Sequence, residues 1–431
     1  MTVCAVDAVR GGGERTGYTG FTIAADGSYA ARLAATGTGR GWVPERWTLD
    51  GPEPYAVPLP GPRPEEPGTQ VLPLSDGRVL ICRRTAGRHR LALLYPTGPG
   101  TGEVPLGEVG CERLTLLPPV PGGAAAYALS PAHPGGDTTA VWRVHGGADG
   151  PERVAMVSGR CSGGGWLDRD GRLLALDRTD ADGRTKTVTV DLGRGGEVSP
   201  LLRITDDSDD RLLLADPDSG LLLVRSDAPG ETLLGWGVLG SHRPVRFPGA
   251  LRPQGVSLVP FAVQPGQALV PEDCAVALRV DGPNGTWVAV WRPSQRRLRH
   301  LPAPRGWLRG AGLWTAAGEL RLPYAAPHVP CGLARIGPFR PEPGERPPGP
   351  GLAFVPRPGP PSEAGHEAAE GAAEGGADGV RTAPRVPPAP AAPVGPLTAR
   401  PVPYVPVPLQ QAPLEGALEG SLERADTERR S

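Results

Sequence analysis

Apolar residues in this chain come in short runs of four to seven, too short for helices and separated by Gly- and Asp-containing turns. Val71-Leu-Pro-Leu74 is followed by Ser75-Asp76-Gly77 and then by Arg78-Val-Leu-Ile-Cys82. An Asp-Gly between two such runs marks a hairpin. Seven related turns recur: Ala25-Asp26-Gly27, Ser75-Asp76-Gly77, Pro121-Gly122-Gly123, Arg169-Asp170-Gly171, Pro217-Asp218-Ser219-Gly220, Gln264-Pro265-Gly266 and Ala316-Ala317-Gly318. Measured at residues 26, 76, 122, 170, 218, 266 and 318, the steps are 50, 46, 48, 48, 48 and 52. A fixed period of this size is the mark of a repeat architecture.

Each period predicts four strands. The second reads 71–74, turn, 78–82, 91–95 and 103–106; the fourth reads 165–168, turn, 172–177, 186–192 and 197–202. Third strands carry branched and aromatic residues at near-alternate positions, as in Ala140-Val-Trp-Arg-Val144, Leu234-Gly-Trp-Gly-Val238 and Trp287-Val-Ala-Val-Trp291. Gly-Trp pairs at 41–42, 165–166, 235–236 and 306–307 read as blade-to-blade packing. Four short antiparallel strands per period is the blade of a β-propeller, so the fold class is all-β, a seven-bladed propeller over residues 2–340. Leu74-Ser-Asp-Gly-Arg-Val-Leu80 and Leu167-Asp-Arg-Asp-Gly-Arg-Leu-Leu174 resemble the Asp-Gly blades of the β-propeller superfamily, such as TolB-like and YVTN-type repeats. That resemblance implies architecture alone and carries over no functional residue. The seventh unit lacks a fourth strand. The N-terminal run 2–9 is expected to fill it, with 352–355 as the alternative donor, because closing the ring removes two exposed edges.

Beyond residue 340 the pattern stops. Residues 341–431 hold 20 of the 55 prolines and read as a Pro/Ala/Gly-rich arm unable to bury enough apolar surface to order itself. Its parts are a disordered linker over 341–398, a docking segment over 399–424 and a disordered end over 425–431. In the docking segment Val402, Tyr404, Val405, Val407 and Leu409 interleave with prolines, a stiff extended stretch with an apolar face. Leu414, Leu418 and Leu422 follow at helical spacing, each trailed by a glutamate, with Gly416 and Gly420 weakening the helix. The expected partner-binding residues are Val402, Tyr404, Val405, Val407, Leu409, Leu414 and Leu418.

Charge separates the two parts mildly. Against a net −1 for the whole chain, the arm has 12 acidic and 8 basic residues, leaving the body near +3. Neither balance suits a dedicated nucleic-acid domain, and the arginine-rich stretches 83–90 and 296–300 lack interleaved aromatics, so they read as solvated loops. Six scattered cysteines without Cys-x-x-Cys suit reduced, buried thiols. No signal-peptide pattern or apolar span is seen, which points to the cytoplasm.

No metal-binding spacing, P-loop or Gly-x-Ser-x-Gly elbow occurs, and no cofactor is called for. The cluster Asp206, Asp207, Asp209, Asp210 is the one candidate cation site and reads as a solvated loop; His133, His242 and His328, in loops, are the candidate bases and read as surface residues. The expected function is therefore a non-catalytic scaffold, with propeller loops binding a protein partner and the arm binding either that partner or the propeller itself. The alternative is a propeller hydrolase or lyase using a His/Asp or cation site at the central funnel, and convergence of those residues in space separates the two.

Overall fold

The structure is a computed structural model and describes residues 18–35, 41–123, 125–266 and 269–338. Blade 1 is β1 (Tyr18–Ile23), β2 (Tyr29–Ala35), β3 (Trp42–Thr48) and β4 (Tyr55–Pro58). Blade 2 is β5 (Gln70–Pro73), β6 (Val79–Thr85), β7 (Arg88–Pro96) and β8 (Thr101–Gly110). Blade 3 is β9 (Thr115–Leu116), β10 (Ala126–Pro131), β11 (Thr138–His145) and β12 (Glu152–Ser158). Blade 4 is β13 (Arg160–Trp166), β14 (Leu173–Thr179), β15 (Thr185–Asp191) and β16 (Glu197–Leu202). Blade 5 is β17 (Asp210–Ala215), β18 (Leu221–Ser226) and β19 (Leu233–Val238). Blade 6 is β20 (Ser257–Val263), β21 (Val276–Gly282), β22 (Gly285–Trp291) and β23 (Arg299–Leu301); blade 7 is β24 (Leu313–Trp314), β25 (Leu320–Ala326) and β26 (Val329–Ile336). All neighbours pair antiparallel in chain order, so the seven-bladed propeller stands.

First strands of successive blades touch one another, β1 with β5, β5 with β9, β13 with β17, β17 with β20 and β20 with β24, which puts them innermost. Second and third strands are covered on both faces by neighbouring blades. Their apolar runs are accordingly continuous rather than alternating: 79–82 in β6 and 288–291 in β22 are buried at every position. Fourth strands face solvent and turn polar, as in β8 and β16. The ring closes where Phe21, Ile23 and Trp47 of blade 1 share a core with Leu308, Ala311 and Leu313 before and within blade 7.

Turn glycines do more than bend the chain. Gly77 N–H closes its turn on Leu74 O at 3.1 Å while Asp76 Oδ1 accepts from Arg78 N at 3.0 Å. Six of the seven turn glycines are also pressed against the preceding blade, the exception being Gly220, which abuts Leu239 of its own blade. A Cβ on Gly171 (φ +68°) would sit 2.3 Å from Val120 Cγ1, and one on Gly27 would lie 3.1 Å from Leu313 Cδ1, across the closure. The period of the sequence is thus the period of an inter-blade contact. Gly171→Ala is expected to cost about 1–3 kcal/mol through positive φ and overpacking together; an unchanged urea midpoint would refute this account of the turns.

Two blades depart from four strands. In blade 5 the fourth position is a single bridge, with Arg246 and Trp236 exchanging both backbone hydrogen bonds at 2.9 Å. Pro244 and Pro248 flank Arg246 and remove the donors a longer strand needs. The chain then leaves through a 3-10 turn at Gly249–Leu251. In blade 7 no strand pairs with the outer side of β26 among the described residues. The two expected donors, 2–9 and 352–355, lie outside the described residues, as does the arm.

Candidate interaction rim and the network beneath it

Antiparallel blades divide their connections between two rims. The seven turns and the third-to-fourth connections share one rim; the second-to-third loops and the blade-to-blade linkers share the other. The second rim carries residues 86–87, 132–137, 180–184, 227–232, 283–284 and 327–328, between the second and third strands of blades 2 to 7. His133 and His328 lie on it, in blades 3 and 7, whereas His242 follows β19 and lies on the turn rim. The three histidines therefore do not share one mouth.

The acidic cluster is drawn apart as well. Arg203 Nε donates to Asp206 at 2.8 Å, and Arg184 pairs with Asp207 at 2.6 Å. Asp209 Oδ1 accepts from Thr185 N at 2.7 Å, and Asp209 N donates to Asp227 Oδ1 at 2.7 Å. Asp206, Asp207 and Asp209 are exposed as expected, but Asp210 is not: β17 begins there and carries its carboxylate to full burial. Its partner is Lys186, the only lysine of the chain, at 2.8 Å. Ser226 Oγ (2.7 Å), Ser208 Oγ (2.9 Å) and Ile204 N (2.9 Å) also donate to it, and Lys186 Nζ reaches the carbonyls of Thr205 and Ser208. A buried ion pair with every neighbour saturated holds blade 4 to blade 5. Among the described residues no group of three His, Cys, Asp or Glu is placed to hold a metal ion.

Asp177 lies beside this network. Thr187 Oγ1 donates to its Oδ1 at 2.8 Å and Leu212 N at 3.0 Å. Burial pushes its carboxyl up to about 6 from an ordinary 3.8, the hydrogen bonds opposing but not cancelling the shift. The folded chain holds this proton more tightly than the unfolded chain. The stabilisation is complete below about pH 4 and is lost as pH rises through about 6, at order 3 kcal/mol by linkage. Asp177→Asn keeps an oxygen for Thr187 and Leu212 without the charge. It is expected to stabilise by about 2 kcal/mol at pH 7.5 and to gain nothing at pH 4; urea titrations at both values check this, and equal effects would contradict it.

The remaining candidates are occupied in similar ways. Arg83 Nε donates to Glu65 at 2.9 Å and its Nη1 to Glu103 at 2.6 Å, while Arg88 and Arg90 share Glu108. His300 Nδ1 accepts from Trp287 Nε1 at 2.8 Å. Cys82, Cys111, Cys161, Cys274 and Cys331 are free thiols, and burial raises all five, Cys82 and Cys331 to about 12, so none is a poised nucleophile. Of the Gly-Trp pairs, Trp166, Trp236 and Trp307 are buried between blades, and Trp42 is half-buried.

Cavities open between blades on both rims. One of about 280 Å³ lies between the turns of blades 1, 6 and 7, lined by Asp26, Asp50, Trp314 and Arg321. Another, about 650 Å³, lies on the loop rim between blades 5 and 6, above Leu233, Leu234 and Leu251. Neither this cavity nor the Lys186–Asp210 pair carries a sequence motif; a lone lysine among 45 basic residues is the one signal for the latter. The expected partner-binding residues Val402, Tyr404, Val405, Val407, Leu409, Leu414 and Leu418 all lie outside the described residues. No helix of the described residues is long and apolar enough to cross a membrane.

No family model and no curated protein matches the sequence. Solved structures similar in fold include the β-propeller domain of the Trilobed protease from Pyrococcus furiosus (9% identity, 74% of this chain and 92% of that chain, TM-score 0.48) and a putative TolB from Agrobacterium tumefaciens (13%, 66% and 91%, TM-score 0.35). A prolyl endopeptidase is similar at 13% identity, 74% of this chain and TM-score 0.45, but the chain spans only 47% of its length. What the chain shares with these proteins is the propeller.

Proposed function

We propose that the chain is a non-catalytic interaction scaffold. Its loop rim binds a protein partner, and the extended segment Val402, Tyr404, Val405, Val407 and Leu409 docks into an apolar groove on that partner. The observation that carries this reading is how the chemistry-bearing side chains are engaged. Asp206, Asp207, Asp209 and Asp210 each hold a separate partner, the described thiols are buried or protonated, and the arginines of 83–90 are largely paired with glutamates. The hydrolase or lyase reading needs His133, His242 and His328 or the aspartates at one mouth, and they are dispersed between rims and partners.

The test is affinity capture with the intact chain beside a chain lacking 395–431. The intact chain is expected to recover a partner that the shortened chain loses. Equal recovery by both removes the docking role of the arm.

A further inference from the structure

The rim cavity between blades 5 and 6 exists because blade 5 is incomplete. In the register set by Arg246 and Trp236, Pro248 falls opposite Leu234, offers it no N–H, and starts the 3-10 turn away from the blade. Past that point the outer side of β19 is left to a space of about 650 Å³. Its floor is leucine: Leu233, Leu234 and Leu251 are 9%, 8% and 4% exposed, with Leu258 at the side. Arg225 and Arg252 line it, and neither has an ion-pair partner among the described residues. Glu231 also lines the cavity from the exposed β18–β19 loop. The leucines leave a narrow apolar strip between polar walls, and a ligand for this seat lays apolar groups along that strip with carboxylates beside them.

The chain carries such a ligand in Leu414-Glu415, Leu418-Glu419 and Leu422-Glu423, three Leu-Glu pairs four residues apart. On one helical face the leucines form a stripe, and the glutamates form a second stripe about 100° round from it. Laid over the cavity, the first stripe meets the leucine floor and the second meets the arginines. Gly416 and Gly420 make that helix poor in isolation, so the seat supplies what propensity does not. Reach is sufficient: 75 residues separate Pro338 from Leu414, and even as a random coil they span roughly 50 Å. The geometry points to the Leu414–Leu422 repeat of this chain as the occupant of the blade 5–6 cavity, docked in cis. It rests on reading the arm as a docking element. Seating the repeat holds Val402–Leu409 at the loop rim, where the local concentration of that segment toward a rim-bound partner is raised.

Amide hydrogen exchange on the full-length chain tests this without any partner. Leu414→Ser/Leu418→Ser/Leu422→Ser is expected to speed exchange about tenfold or more at 231–234 and 251–258 and to leave the other blades unchanged. Arg252→Glu should give the same local change, and adding Glu415→Arg and Glu419→Arg to it should restore protection. Wild-type exchange in the leucine triple variant overturns the proposal. So does a change with Arg252→Glu that the reversed glutamates leave untouched, because the effect then belongs to the blade alone. Protection that appears only when a synthetic 412–424 peptide is added in excess also overturns docking in cis. The capture experiment reads the partner separately, so a failed seat and a failed scaffold give different results.

Discussion

Lys186→Met is expected to destabilise the propeller by about 3–5 kcal/mol. The lysine joins β15 of blade 4 to Asp210 at the head of β17, and the carboxylate has no access to water. Methionine preserves the stem but leaves Asp210 charged, buried and held only by Ser208, Ser226 and Ile204 N, while the carbonyls of Thr205 and Ser208 lose their donor. Removing one member of a buried pair strands the other, and that is where the cost arises. Lys186→Met with Asp210→Asn should therefore recover part of the loss, a coupling that a double-mutant cycle reads directly from urea unfolding. A single-variant loss below about 1 kcal/mol would mean water reaches the pair.

Trp166→Ala is expected to cost a similar amount, about 3–5 kcal/mol, for a different reason. Trp166 is wholly buried between blades 3 and 4, its ring centroid 5.3 Å from that of Tyr127. Its Nε1 donates to Pro118 O at 3.0 Å, in the stretch just before the blade 3 turn. Alanine empties the contact and orphans that carbonyl. Trp166→Phe separates the two contributions: it keeps most of the packing and loses the hydrogen bond, for about 1–2 kcal/mol. Thermal or urea unfolding of both variants checks the order, and equal losses would show that the hydrogen bond, not the packing, dominates.

The blade plan was legible because it is local. Each of the seven turns named from spacing falls between first and second strands, and the third strands named from Ala140–Val144, Leu234–Val238 and Trp287–Trp291 lie in β11, β19 and β22. The incomplete fifth blade was also written in the chain, in Pro244 and Pro248, but a repeat period conceals an exception inside it. What could not be read locally were partnerships between blades. Asp210 looked like one more exposed aspartate because its lysine lies 24 residues earlier in another blade, and the Cβ clearance at Gly171 is set by Val120, 51 residues away. The rim cavity has the same origin, since β19 and the chain after Leu251 meet only where blades 5 and 6 stack.

Cross-linking mass spectrometry of the captured complex tests the central claim, partner binding on the loop rim, most directly. The scaffold account predicts partner cross-links within 132–137, 180–184 and 227–232, and none at the turns around residues 26, 76 and 170. Cross-links concentrated on the turn rim would contradict it.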